Sequence, residues 1–295
     1  MNLRTPPIQT GLWRSGWLDG VIGMLIFSAS LPATRVAVLQ IDALFLGFAR
    51  AAIAGLCGLV LLRLGREIRP GRAELVPLAI VALGVVLGFP ILTALALRSI
   101  PSAHALVFVG LLPLATAVCA VLRAHERPAA SFWLFAVLGG ALVAGYALSH
   151  SSRGDLMADG MMVVAVAFCG LGYAEGARLA RTYGGWQVIC WALVLALPLT
   201  APASLILMPA QWAGIGWPAW AGFAYVSLFS MLIGFVFWYR GLAAGGIAAV
   251  GQLALVQPFF GLLLAAWLLQ EPVGWDLVAV LTAVIGCVVG ARRYA

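Results

Sequence analysis

Ten long apolar runs, separated by short polar segments, form the main pattern of this chain. A bilayer core about 30 Å thick is crossed by roughly 20 helical residues, and each run approaches or reaches that length. The runs are apolar on all faces, which is typical of helices surrounded by lipid and by other helices. The pattern predicts ten transmembrane helices, over residues 17–39, 43–64, 75–97, 102–122, 132–148, 160–179, 186–208, 217–239, 247–269 and 275–290.

The second half of the chain repeats the first half. The segment LPLATAVCAVLRAHERP resembles QPFFGLLLAAWLLQEP, and in each copy a proline precedes a glutamate by 13 residues. Each half holds five predicted helices, an odd number, so the two copies cross the bilayer in opposite directions. The sequence therefore predicts an all-α polytopic membrane protein with ten transmembrane helices in two inverted five-helix repeats. The pairs offset by 145 residues are Pro113 with Pro258, Glu126 with Glu271, Ala103 with Ala248 and Gly145 with Gly290.

The repeats divide the chain into four predicted parts. Residues 1–16 form a cytoplasmic tail, and residues 17–149 form repeat 1 with helices one to five. A polar connector over residues 150–159 leads to repeat 2, over residues 160–295, which holds helices six to ten and a short cytoplasmic C-terminus. The remaining loops are short, so binding is expected among the helices.

Composition supports the same class of protein. Hydrophobic residues make up 64% of the 295 positions and charged residues 9%, far outside the range of water-soluble domains. All 17 basic residues are arginine, and most fall in loops on one side of the predicted helices. Because basic loops stay in the cytoplasm, we predict an inner (cell) membrane protein with both termini cytoplasmic. The dispersed arginines account for the net charge of +7, so membrane lipids, and not nucleic acid, are the expected charged partners.

The sequence lacks the usual signatures of enzymes and metal sites. Its five cysteines all lie in predicted helices without a close pair, which suits neither a disulfide framework nor a metal cluster. Nucleophile elbows, phosphate-binding glycine loops and paired carboxylates are missing from the sequence. We therefore expect a monomer that has no enzyme activity, cofactor or metal and binds a small-molecule substrate.

The chain resembles a known family over nearly its whole length. The residues that carry the resemblance are LFLGFARAAIAGLCGLVLL in the second helix, with Arg50, and the duplicated helix with its proline and terminal glutamate. They are similar to the EamA-type carriers of the drug/metabolite transporter superfamily and, within them, to the aromatic amino-acid exporters of the YddG type. The resemblance implies a secondary transporter. Arg50 has no arginine counterpart in the second half, so the repeats are not expected to contribute equally to one site.

Two prolines are candidate hinges. Pro113 and Pro258 lie near the middle of the fourth and ninth predicted helices. A proline inside a helix removes a backbone hydrogen bond and favours a kink. Prolines are also tolerated in membrane helices without a role in motion. The matched depth of these two in inverted copies favours hinges that bend during transport.

Few polar side chains lie within the predicted helices, and buried polar groups there are functional candidates. Ser28, His104, Gln252 and Gln257 are predicted to bind substrate. Their alternatives are structural, because a serine can bond to its own helix, a histidine can lie at the interface, and an amide can cap an opened helix. Arg50 is either a clamp for a substrate carboxylate or a structural tie to backbone carbonyls.

Aromatic residues complete the predicted site. Phe108, Tyr173, Tyr225 and Trp238 are expected to line a cavity for flat or apolar groups. Glu175 is the carboxylate deepest in a predicted helix, and we expect it to pair with Arg178. We find no unpaired acidic residue near the predicted midplane, so the sequence gives little support to obligatory proton coupling. Facilitated diffusion or exchange is at least as plausible as proton-coupled transport.

These features predict a carrier that exports neutral or zwitterionic metabolites, foremost aromatic and hydrophobic amino acids, by alternating access through a central cavity. Two alternatives stay open. One is a broad-specificity drug or metabolite efflux carrier of the same fold. The other is a membrane-embedded enzyme or channel, which would need a catalytic cluster or a continuous polar face.

Overall fold

The computed structural model describes residues 16–67, 69–124, 129–150, 153–245 and 250–293, and within these ranges the chain is helical, without strands. Seven helical stretches in the described ranges are long and apolar enough to cross a membrane, and three shorter apolar helices accompany them. The helical class predicted from the sequence is therefore confirmed. The seven stretches are Trp17–Val38, Ala43–Leu64, Arg72–Ala96, Ser102–Cys119, Leu156–Tyr183, Gly185–Ile206 and Trp217–Gly245, and the shorter ones are Trp133–Val143, Leu253–Leu269 and Trp275–Gly290.

Several of these stretches consist of more than one helical segment. Two π-helical segments are π1 (Ala82–Gly88) and π2 (Tyr225–Ile233), and a 3₁₀ helix spans Gly251–Leu255. The α-helices are α1 (Trp17–Ser28), α2 (Ser30–Val38), α3 (Ala43–Leu64), α4 (Arg72–Val81), α5 (Phe89–Ala96), α6 (Ser102–Val109), α7 (Leu112–Ala124), α8 (Ala130–His150), α9 (Arg153–Tyr183), α10 (Gly185–Ile206), α11 (Trp217–Ala224), α12 (Gly234–Gly245), α13 (Gln257–Leu269) and α14 (Trp275–Arg292).

Three of the predicted helices are interrupted shortly before a proline. Proline has no backbone N–H, so the carbonyl four residues earlier loses its helical donor. Helix α1 ends four residues before Pro32, α6 ends four residues before Pro113, and the 3₁₀ helix ends three residues before Pro258. Pro113 and Pro258 thus lie at the second position of α7 and α13, where a missing N–H costs no intrahelical bond. At Pro113 and Pro258 the structure shows broken helices, whereas the sequence predicted kinks in continuous ones.

Helix α9 begins earlier than the sixth predicted span. It starts at Arg153, seven residues before the predicted start at position 160, and most of the predicted connector over residues 150–159 is helical. Hydropathy marks where a helix enters the apolar layer, whereas a helix can continue beyond it through polar residues. Connectors built from helix-forming residues are therefore missed by an apolar pattern.

The helix contacts between the two repeats come in equivalent pairs, in which repeat 1 and repeat 2 change places. Helix α1 packs against α12 and α13, and α9, its counterpart, packs against π1, α5 and α7. Helix α3 packs along its counterpart α10, and α8 along its counterpart α14. The most extensive contact between two helices is the one between α3 and α10. The two halves thus enclose a common interior.

Glycines allow close approach at both seams between the repeats. A Cβ added to Gly84 in π1 would lie 2.6 Å from the Phe168 carbonyl oxygen of α9. A Cβ added to Gly241 in α12 would lie 2.7 Å from the Gly20 nitrogen of α1. Because both neighbours are backbone atoms that cannot swing away, only glycine fits these contacts.

Large apolar side chains cover the outer surface of the bundle. Leu64, Ile206, Trp217, Trp267 and Trp275 are each at least 75% exposed. A water-soluble monomer rarely shows such a contiguous apolar exterior. The exposure pattern is that of a bundle surrounded by lipid, with tryptophans at the first residues of α11 and α14 placed as interface anchors.

Candidate functional site

A small cavity lies between the repeats at the centre of the bundle. The volume that the centres of water molecules can occupy is about 30 Å³, which is enough for about two waters. The cavity is therefore small. Both repeats contribute to its wall, through Phe27, Ser30, Leu31, Arg50, Val85, Phe89, Pro90, Leu112, Cys169, Tyr173, Ser230, Phe235 and Gln257.

Three polar side chains in this wall form a hydrogen-bonded cluster. The hydroxyl oxygens of Ser30 and Ser230 lie 2.6 Å apart, and either can be the donor. Arg50 donates from Nη2 to the Ser230 hydroxyl oxygen over 3.2 Å. Ser30 is the first residue of α2, directly after the break in the first helix, and Ser230 lies inside π2. Irregular backbone in both repeats thus holds the serines beside the arginine.

Arg50 is a buried cation without an anionic partner among the described residues. Its exposed fraction is 4%, and no carboxylate within the described ranges forms a salt bridge with it. Its Nε–H is buried and has no acceptor. A guanidinium stays protonated in proteins and offers five N–H donors, so an unfilled donor at this depth is energetically costly. An unsatisfied buried donor in a folded protein needs an explanation, such as a bound ion, an ordered water or a functional role.

Aromatic rings form a second part of the wall. Phe27 and Phe235 meet edge to face with their centroids 4.8 Å apart, and Tyr173 packs against Phe235 at 6.0 Å. Trp238 lies behind them, 5.8 Å from Tyr173 and 6.1 Å from Phe27. These rings join α1, α9 and α12 in one cluster next to the polar groups. The cavity therefore has a polar part and an aromatic part.

Equivalent positions of the two repeats face this cavity. Leu112 and Gln257 lie 145 residues apart, begin α7 and α13, and both line the wall. Val85 in π1 and Ser230 in π2 are also 145 residues apart, and both line the wall. At each pair the residue from repeat 1 is apolar and the residue from repeat 2 is polar.

Two of the predicted substrate-binding residues, Tyr173 and Gln257, line the central cavity. Ser28 instead donates to the Met24 carbonyl oxygen of its own helix over 2.9 Å, while its neighbour Ser30 faces the cavity. Trp238 supports the aromatic part from behind. Arg50 lines the cavity and, in the described structure, contacts a serine hydroxyl and no backbone carbonyl.

The other predicted residues lie elsewhere. His104 lies near the start of α6 and its Nε2 is 2.8 Å from an Asp159 carboxylate oxygen, which links the two repeats. Phe108 lines a separate apolar groove beside α7 and α9. Tyr225 donates to the Ile26 carbonyl oxygen over 2.8 Å and lines a lateral groove. The side chain of Gln252 lies outside the described part of the structure.

Ser230 is the site residue that the sequence does not reveal. Serines in apolar helices commonly bond to their own backbone, as Ser227 does to the Phe223 carbonyl oxygen, so a serine alone carries little signal. Ser230 differs because π2 turns it toward Ser30 and Arg50, which are 200 and 180 residues away in the chain. This proximity follows only from packing of the two halves.

Charged contacts tie the repeats together away from the cavity. Glu271 accepts hydrogen bonds from the backbone N–H groups of Ser102 and Ala103 at 2.9 and 2.7 Å, and from the Ser102 hydroxyl at 2.8 Å. This carboxylate caps the N-terminus of α6, where the helix dipole favours negative charge. Its repeat-1 counterpart, Glu126, lies outside the described residues. Asp19 of α1 accepts from Arg240 Nε of α12 over 2.6 Å.

The predicted pair of Glu175 and Arg178 is confirmed. Arg178 donates to Oε1 of the buried Glu175 from both Nε and Nη2, while its own side chain is largely exposed. The carboxylate does not line the central cavity. The described residues contain no group of three or more histidine, cysteine, aspartate or glutamate side chains that could hold a metal ion.

A larger groove of about 480 Å³ lies beside α2, α11 and α13. Trp217 and Leu268, both exposed, form part of its wall. The described wall carries no charged or amide side chain, and its polar group Tyr225 bonds to a backbone carbonyl. Only the central cavity among these spaces combines a charge with aromatic rings.

Comparisons with known proteins agree with this architecture. The chain is 60% identical over 281 residues to "Uncharacterized transporter YdeK" of Bacillus subtilis (strain 168), covering 95% of this chain and 98% of that protein. Its fold is similar to a solved structure titled "Crystal structure of protein", with a TM-score of 0.64, 18% identity, and coverage of 95% of this chain and 98% of that one. The model of the EamA-like transporter family matches residues 14–147 and again residues 156–291. The protein is a multi-pass membrane transporter, not an enzyme, and it belongs to the EamA-like transporter family.

Proposed function

We propose that this transporter exports small neutral or zwitterionic metabolites, foremost aromatic and hydrophobic amino acids, by alternating access through the central cavity. In this proposal the seven long and three shorter apolar helices make ten crossings of the inner membrane. The repeats are inverted, and both termini face the cytoplasm. The observation that carries the proposal is the cavity between the repeats, whose wall joins aromatic rings to Ser30, Arg50, Ser230 and Gln257.

The composition of the wall supports an amphipathic substrate. Phe27, Phe89, Tyr173 and Phe235 offer flat apolar surface for a hydrophobic or aromatic side chain. The polar cluster offers donors and acceptors for the main-chain groups of an amino acid. A few oriented polar groups in an otherwise apolar pocket are the usual arrangement of small-molecule sites.

The small volume of the cavity supports alternating access. Space for about two waters is too small for an amino acid, so substrate enters only after helices separate. The breaks before α2, α7 and α13 lie next to the cavity wall and provide places where half-helices can turn. The cap that Glu271 forms on α6 and the Asp19–Arg240 ion pair both join the repeats away from the cavity. Alternating access requires these two contacts to open one at a time.

Transport in this proposal runs down the substrate gradient or by exchange. Among the described residues that line the cavity the charged side chain is Arg50, and none is an aspartate or glutamate. Proton-coupled carriers typically hold a titrating acid in a desolvated site. Collapse of a proton gradient across the vesicle membrane is therefore expected to leave the rate of exchange unchanged.

Counterflow of labelled phenylalanine and tryptophan in proteoliposomes tests the proposal. Phe235→Leu removes an aromatic wall of the cavity, whereas Phe45→Leu changes an equally buried phenylalanine packed against Trp212 and Phe223. In Phe235→Leu we expect the half-saturation concentration of phenylalanine to rise about two- to tenfold, since an aromatic contact contributes about 0.5–1.5 kcal/mol. Phe45→Leu should keep wild-type half-saturation. Absence of amino-acid counterflow together with transport of cationic dyes would instead favour a broad-specificity efflux carrier.

A further inference from the structure

We infer that Arg50, Ser30 and Ser230 form an anion site that binds the carboxylate of the transported molecule, so that the substrate class is organic carboxylates with an apolar side chain. The inference rests on the proposed transport through the central cavity. It goes further in one respect, because it makes the carboxylate required and the ammonium group dispensable.

The positive charge of Arg50 is unbalanced among the described residues. Arg50 is buried in the wall of the central cavity, and no carboxylate within the described ranges forms a salt bridge with it. Other buried charges are compensated, since Asp19 is bonded to Arg240 and Glu175 to Arg178. A charge deep in a membrane protein usually pairs with another group or marks the path of a substrate. An anionic ligand would supply the partner that the described residues do not provide.

The geometry of the Arg50 guanidinium also favours a carboxylate ligand. Nε–H and one N–H of Nη2 lie on the same edge of the group and fit the two oxygens of a carboxylate. Nε is buried without an acceptor, and Nη2 donates to Ser230 over 3.2 Å, which is the long end of a hydrogen bond. The edge that binds carboxylates side-on is therefore the edge with unused capacity.

The serines complete this site. In the Ser30–Ser230 pair one hydroxyl donates to the other, so the pair can reorient when an acceptor arrives. A carboxylate at the Arg50 edge would take the place of Ser230 as acceptor and free that hydroxyl to donate. Two hydroxyls and a guanidinium together satisfy more oxygen lone pairs than the arginine could alone.

A structural role for Arg50 would produce a different arrangement. Arg35 on α2 shows that arrangement, because its Nη1 donates to the carbonyl oxygen of Leu97 at the end of the third predicted helix. The described bond from Arg50 ends on a hydroxyl, and its Nε–H reaches no carbonyl. Arg50 is thus aimed into a cavity, whereas Arg35 ties two segments of backbone.

The described wall residues predict selectivity for carboxylates over amines, because none of them is acidic. A substrate ammonium group would need a carboxylate or several oxygens, but the described wall residues include no aspartate or glutamate. Gln257 offers one amide oxygen there. Binding of an amino acid should therefore depend on its carboxylate, and loss of its ammonium group should be tolerated.

The test uses the purified full chain and three matched pairs of probes: 3-phenylpropanoate with phenethylamine, indole-3-propionate with tryptamine, and hexanoate with pentylamine. Binding is measured by the shift of the melting temperature and by competition with phenylalanine counterflow. We expect the carboxylates to raise the melting temperature and to compete, and the amines to do neither. Equal effects of acids and amines, or no effect of any acid on melting, would overturn the inference.

Variants separate recognition from folding. Arg50→Gln should weaken carboxylate binding at least about tenfold, and Arg50→Lys should restore part of it, since lysine keeps the charge but loses the fork. Without ligand, Arg50→Gln should melt at or above the wild-type temperature, because it removes an unpaired buried charge. The matched control Arg35→Gln should lower the melting temperature and leave affinity unchanged. A variant Arg50→Gln that melts much lower but binds carboxylates normally would show a structural arginine.

The two proposals fail in different ways. If phenylalanine is transported with the same half-saturation by wild type and Arg50→Gln, the anion site is wrong while the amino-acid carrier stands. If carboxylates bind through Arg50 but no amino acid is exchanged, the anion site stands and the substrate is a carboxylate of another kind.

Discussion

The two repeats share a backbone plan and differ in the side chains that they bring to the cavity. The π-helical segments of both halves overlap when the chain is shifted by 145 residues, and α7 and α13 begin 145 residues apart. In contrast, Arg50 of α3 has no charged counterpart, since α10 contains no charged residue. Leu112 and Val85 on one side face Gln257 and Ser230 on the other.

This difference separates the requirements of movement from those of recognition. Two half-bundles that exchange roles need equivalent breaks and seams, which depend on proline, glycine and π-helical turns. One substrate with different ends needs an asymmetric wall, and the wall residues diverge accordingly. A symmetric scaffold with an asymmetric lining is the arrangement expected of a carrier for one amphipathic molecule.

The largest expected effect tests whether the two seams are equivalent. Gly84→Ala and Gly241→Ala each place a methyl group against backbone atoms of the other repeat, at 2.6 and 2.7 Å. Because backbone cannot swing away, we expect each variant to lose about 1–3 kcal/mol of stability. Thermal melting of the purified variants in detergent measures this loss.

Gly286→Ala on α14 is the matched control for both seams, since nothing lies within 4 Å of its added Cβ. It should be neutral or slightly stabilising, because alanine favours a helix over glycine. A much smaller loss in Gly84→Ala than in Gly241→Ala would show that the seam of α9 with π1 is loose and the repeats are mechanically unequal.

Much of the fold could be predicted from hydrophobicity, because lipid imposes it. The span over residues 43–64 agrees with α3 at both ends, where Asp42 accepts from the N–H groups of Leu44 and Phe45 and caps the helix. The breaks at Pro32, Pro113 and Pro258 were predictable only as weak points. Whether a proline kinks a helix or divides it depends on neighbours that satisfy the freed carbonyl, and these come from distant segments.

Less of the candidate site could be predicted. Arg50, Tyr173 and Gln257 are noticeable in the sequence because charged, phenolic and amide groups are costly in an apolar helix, and all three line the cavity. His104 is equally noticeable, yet it bonds to Asp159 away from the cavity. The free-energy cost of burying a polar group identifies which residues need a partner, but not whether the partner is the substrate or the protein. Burial of a serine hydroxyl costs too little free energy for Ser230 to stand out in the sequence.

An intermediate effect tests the asymmetry of the lining. Gln257→Leu makes the two equivalent positions alike, since position 112 is already leucine. We expect about two- to tenfold weaker half-saturation by phenylalanine, the effect of one hydrogen bond. Affinity for 3-phenylpropanoate, which has no ammonium group, should change less. Competition in counterflow assays measures both.

The matched control is Gln187→Leu, because Gln187 binds Glu67 and does not line the cavity. It should leave both half-saturation values unchanged. If Gln257→Leu weakens both ligands equally, its amide orders the wall and does not contact the ammonium group, and the contrast with Leu112 would then concern packing.

The smallest effect on stability tests whether the shared helix breaks serve movement. Pro113→Ala and Pro258→Ala each restore an N–H at the second position of a half-helix, where it can reach the carbonyl four residues earlier and make the helix continuous. We expect stability changes below about 1 kcal/mol but several-fold slower exchange, because a continuous helix bends less readily. Pro198→Ala in the uninterrupted α10 is the control and should not slow exchange. Melting and single-turnover exchange, measured on the same preparations, separate the two effects. Equal slowing of exchange by both variants would show that the two breaks act as a matched pair of hinges. Slowing by one variant alone would confine bending to one repeat. If the loss of folded protein matches the loss of exchange rate, these prolines serve folding and not movement.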